Sequence, residues 1–108
     1  MKKKLPYKIT TETLKDIEFS FDLSDETKSA LAVHQLLDTL LAAINQETKL
    51  RTLANGDIIQ ALTMALAVRV KMMYGNDKVK ENIATICFNR ALKNAESANE
   101  VEQISGTS

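Results

Sequence analysis

The chain has 108 residues, of which 44% are hydrophobic and only 5% aromatic, with no Trp. That length admits one domain around one core, and the core must be aliphatic and methionine-filled. Fourteen Lys and Arg balance fourteen Asp and Glu, so no net field concentrates nucleic acid or an anionic membrane at the surface.

The start is basic, from Met1 to Lys4, but Leu5, Pro6 and Tyr7 lead into polar residues and not into the apolar run of a signal peptide. A cytoplasmic protein is expected. Ile17, Phe19, Phe21 and Leu23 then alternate with Glu18, Ser20 and Asp22, the period of a half-buried strand. Tyr7 to Thr10 can pair with it as a second strand around Thr11 to Asp16, or that middle piece can form one helical turn. A two-stranded ribbon alone is marginal in water. It must pack on the helices or pair with another chain's copy, which points to a homodimer.

The first helix is expected from Ser24 to about Asn45. The Ser24 hydroxyl can cap it, and Asp25 and Glu26 meet the positive end of its dipole. Ala30, Val33, Leu37, Leu40, Leu41 and Ile44 line one face, widened by Leu36. Leu50 and Leu53 leave that stripe, so a bend or a short second helix is expected through Glu47 to Ala54, before a turn at Asn55-Gly56.

The strongest helical signal runs from Ile58 to Tyr74, with Asp57 and Gln60 as a capping pair and Gly75 as a left-handed stop. Its polar residues Gln60, Thr63, Lys71 and Tyr74 fall on one narrow stripe, and apolar side chains cover most of the rest. It should therefore be the central, most buried helix. A third helix, capped by Asn76 or Asp77, buries Val79, Ile83, Ala84, Ile86, Cys87, Ala91 and Ala95. Cys87, the single cysteine, reads as a small buried hydrophobe.

The expected fold is mainly α: a compact bundle of three main helices with a short N-terminal extended segment or β-ribbon. Residues 1–23 form the strand-like arm, 24–96 the helical domain and 97–108 a polar, flexible tail.

No catalytic or metal-binding constellation emerges, and no cofactor is expected. His34 and Asp38 stand at i, i+4 and can touch, but they lack a third ligand and a nucleophile. Gly56, Gly75 and Gly106 are too far apart for a phosphate-binding loop. Asn55-Gly56-Asp57 lacks the alternating acids of a calcium loop.

Two arginines stand out. Arg69 lies roughly opposite Gln60, amid the apolar face of its helix, and Arg90 falls within the apolar arc of the third helix. A buried guanidinium needs a partner. Pairing with Glu26, Asp38, Glu47 or another acid inside the fold, or extension to water along the stems, is one possibility; a protein interface and a small anionic ligand are the others. Met72 and Met73 read as core or as an adaptable contact surface, and Phe19 and Phe21 as interface candidates.

The turn Tyr74-Gly75-Asn76-Asp77 also resembles that of a helix-turn-helix, and Lys78, Asn82, Thr85, Asn89 and Lys93 are side chains that a DNA-reading helix uses. Glu81 stands where that motif wants an aliphatic residue, and the zero net charge disfavours nucleic acid. The leading expectation is a small non-catalytic helical protein-protein interaction module: an adaptor, assembly factor or regulatory subunit that forms a homodimer. A DNA-associated regulator is the runner-up, and an anionic-ligand binder using Arg69 and Arg90 comes third.

Overall fold

The structure, a computed structural model, describes residues 3–11, 13 and 15–102. The element order is β1 (Lys4–Thr10), β2 (Lys15–Asp22), α1 (Ala30–Arg51), α2 (Asn55–Met72), α3 (Asp77–Glu96) and β3 (Asn99–Glu102). The molecule is mainly helical but carries a three-stranded antiparallel sheet, so it is a mixed α and β fold and not a plain bundle. Residues 1–30 and 87–108 make up one compact unit, and residues 31–86 make up a second. The boundary falls inside α3.

The N-terminal ribbon forms within its own chain. β1 pairs with β2 so that Leu5 faces Phe21, Tyr7 faces Phe19 and Ile9 faces Ile17. The alternating residues therefore share one face, and Leu5 and Tyr7 are the buried hydrophobic residues among those described. Phe19 and Phe21 stack with ring centroids 5.3 Å apart. Pro6, which has no N–H to donate, stands in an edge strand, where none is needed. The hairpin closes with the Thr11 amide donating to the Lys15 carbonyl at 2.8 Å. Residues 12 and 14 of the expected helical turn lie outside the described residues.

The tail carries the third strand. β3 pairs antiparallel with β2, Asp16 against Val101 and Glu18 against Asn99, which makes β2 the central strand. Thus the segment 97–108, expected to be free, contributes to the sheet at Asn99–Glu102; residues 103–108 lie outside the described residues. The second half of α3 joins this unit through Asn94, whose Oδ1 accepts the Asp22 amide at 2.8 Å and whose Nδ2 donates to Asp22 Oδ2 at 3.2 Å.

The first helix starts and ends later than expected. Ser24 does not cap it: the Thr27 amide donates to the Ser24 carbonyl at 3.0 Å, and the two hydroxyls meet at 3.3 Å, forming a separate turn. At the other end no bend intervenes. The Thr48 hydroxyl donates to the Ile44 carbonyl at 2.7 Å, Arg51 pairs with Glu47 at 2.6 Å, and Lys49 and Arg51 favour the negative end of the helix dipole. Thr52, with φ 53°, then takes the left-handed position that more often belongs to glycine.

α2 begins at Asn55, so Asn55-Gly56 is its first turn and not a separate loop. Asp57 works one turn in: its Oδ2 accepts the Ala54 amide at 3.1 Å, the acidic half of a capping box. Gly75 has φ 128° as part of the following turn, but the helix has already ended at Met72. Asn76 caps α3 as expected, its Oδ1 accepting the amides of Lys78 and Val79 at 2.8 and 3.4 Å.

The largest departure concerns burial. α2 was expected to be the central, most buried helix, yet no residue of α1 or α2 is buried. Leu36 is 60% exposed and Met72 67%. The apolar faces of these two helices therefore stay open among the described residues. In α3, Val79 and Ile86 are likewise exposed, whereas Ile83, Ala84, Cys87, Ala91 and Ala95 are half-buried.

Candidate interaction surface

Within the helical unit, the turn at Thr52 to Ala54 brings the second half of α1 beside the first half of α2 and opens a groove between them. Ala43, Ile44 and Leu53 line it together with Ile58, Ala61, Leu62 and Ala65, and Glu47 and Asp57 are the charged residues of its lining among those described. The cavity measures about 380 Å³. Ile58, Ala61, Leu62 and Ala65 follow helical spacing, so one stripe of α2 forms the wall; the same stripe runs on to Arg69 and Met72.

Arg69 is exposed, and no ion pair holds it among the described residues. Of the acids considered as its partners, Glu47 holds Arg51, and Asp38 lies 3.2 Å from Nδ1 of His34. Arg90 is half-buried and belongs to the other unit, so the two arginines are not brought into one site within a unit. Neither lines the groove. Met72 and Met73 are both exposed, whereas Phe19 and Phe21 are half-buried in the sheet and stacked on each other.

His34 and Asp38 touch as their spacing implied, with His34 half-buried and Asp38 exposed. Among the described residues no cluster of three or more His, Cys, Asp or Glu could hold a metal ion. Lys78, Asn82, Thr85, Asn89 and Lys93 are all exposed. No helix among the described residues is long and apolar enough to cross a membrane.

The corner between α2 and α3 holds a residue that sequence reasoning missed. Lys80 is buried, with 6% of its surface exposed. Its Nζ donates to the Met73 carbonyl at 2.8 Å and the Lys71 carbonyl at 3.3 Å, and lies 3.2 Å from Oδ1 of Asp77. A cation thus satisfies the free carbonyls at the end of α2, where the helix dipole is negative. Lys71 reaches the other Asp77 oxygen at 3.1 Å. Its hydrogen bond, followed by that of Lys80, holds the Asp77 carboxyl below its ordinary pKa. Lysine is normally an exposed residue, which hid this one. The available signal was position, since Lys80 stands on the stripe of Ile83, Ala84 and Cys87.

No protein-family model, no curated protein and no solved structure matches this chain.

Proposed function

We propose that the chain is a small, non-catalytic, cytoplasmic interaction module, an adaptor, assembly factor or regulatory subunit, which self-associates through the surface of α1 and α2. The observation that carries this reading is that two long helices rich in Leu, Ile, Val and Met bury none of their residues. Apolar side chains left open along neighbouring helices mark an interaction site. Each Leu, Ile or Met taken out of water there contributes roughly 1.5–3 kcal/mol.

Light scattering over a range of protein concentrations tests the reading. A mass of twice the 12.0 kDa chain is the expected result, and a single-chain mass at every concentration overturns self-association.

A second reading, a DNA-associated regulator, draws on the exposure of Lys78, Asn82, Thr85, Asn89 and Lys93. It requires retention on duplex DNA at low salt that is lost as salt rises. The balanced charge of the chain favours the first reading.

A further inference from the structure

We propose that two copies of the chain pack α2 against α2 in antiparallel fashion about a twofold axis near Leu62 and Ala65, with Arg69 of each copy received by Glu47 of the other. This arrangement rests on the self-association reading and gives it a geometry.

The stripe from Ile58 through Leu62 and Ala65 to Arg69 has an apolar centre, and its small residues Ala61 and Ala65 let a second helix approach closely. Its ends differ in charge. Asp57 stands in the first turn of α2, and Arg69 and Lys71 in the last. At a rise of ~1.5 Å per residue, Arg69 lies about 8 Å along the axis from the midpoint of Leu62 and Ala65, and Ile58 lies about as far on the other side. An antiparallel partner centred there sets each Arg69 level with the other copy's Ile58, which shares its groove with Glu47 and Asp57.

A parallel partner would instead set Arg69 against Arg69, with the two helix dipoles aligned, and both features repel. A twofold interface is self-complementary, so the favourable pair forms twice. Arg69 has no ion pair of its own to surrender among the described residues. Glu47 contacts Arg51 through Oε1, and a carboxylate can accept a second cation through its other oxygen. The neutral chain adds no overall repulsion between copies. Asp57 also caps its own helix, so Glu47 is the cleaner position to alter.

The test is a charge exchange in the full chain, read by sedimentation velocity with circular dichroism to confirm helix content. Arg69→Glu and Glu47→Arg should each weaken the dimer by about tenfold or more, because each places like charges together twice. An equimolar mixture of the two variants should dimerise again, since every Glu then meets an Arg at both ends of the mixed pair. If both variants dimerise like the wild type, or if the mixture fails to recover, the antiparallel arrangement is wrong while self-association stands. If the wild type itself is monomeric throughout, both readings fall.

Discussion

The two units of this chain solve the burial problem differently. In the sheet unit, alternation places Leu5 and Tyr7 on one face of β1, and these side chains are buried within their own chain. In the helical unit, α1 and α2 carry far more apolar surface and bury no residue. Isolated helices owe most of their stability to packing, so a helical unit with open faces depends on whatever covers them. The three-stranded sheet, tied to α3 by the hydrogen bonds between Asn94 and Asp22, is held together by contacts within its own unit.

That contrast can be broken most forcefully at the groove. Leu62→Asp puts an unpaired charge at the centre of the α2 stripe, a change expected to cost several kcal/mol if the site is desolvated. Light scattering should show a single-chain mass for this variant; an unchanged mass would separate the groove from self-association.

The sheet supplies the complementary experiment. Leu5→Ala removes a buried side chain and should cost about 2–4 kcal/mol in urea unfolding. Its solution mass should remain that of the wild type while the chain is folded. Loss of the oligomer in the folded variant would mean that the two units do not act separately.

At the α2–α3 corner, Lys80→Ala leaves the Met73 and Lys71 carbonyls without their donor and should destabilise the chain by about 1.5–3 kcal/mol. Chemical denaturation measures it, and a change within error would make the buried ammonium incidental. Smaller still, and opposite in sign, is Thr52→Gly. Thr52 holds a β-branched residue at φ 53°, a conformation that glycine adopts without a Cβ penalty. The substitution should raise stability by ~1 kcal/mol, and a loss would show that the Thr52 side chain contributes more than its strain costs.

Local patterns in the sequence were a good guide to elements and a poor one to their surroundings. The period-two run from Ile17 to Leu23 announced β2, and the hydrogen-bonding capacity of Asn76 announced the start of α3. Ser24 with Asp25 and Glu26 carries the same capping chemistry, but its bonds close a turn with Thr27 before α1 begins. β3 was hidden because Asn99-Glu100-Val101-Glu102 offers a single apolar residue; its ladder with β2 is made by backbone groups that every sequence has.

The groove was missed for a different reason. Periodicity says which face of α2 is apolar, not which surface covers it, so an all-round apolar helix was read as the centre of its own bundle. Arg69 was the legible exception. Its place amid that face pointed either to an internal carboxylate or to an interface, and the pairings of Glu47 with Arg51 and Asp38 with His34 leave it free of internal acids among the described residues.

The central claim, that the helical unit is completed by a second chain and the sheet unit is not, is tested most directly by amide hydrogen exchange on the wild type and Leu62→Asp. Protection along Ile58 to Val70 should collapse in the variant, while β2 amides from Ile17 to Phe21 keep theirs. Equal protection of α2 in both proteins would contradict the claim, because α2 would then be stable without a partner.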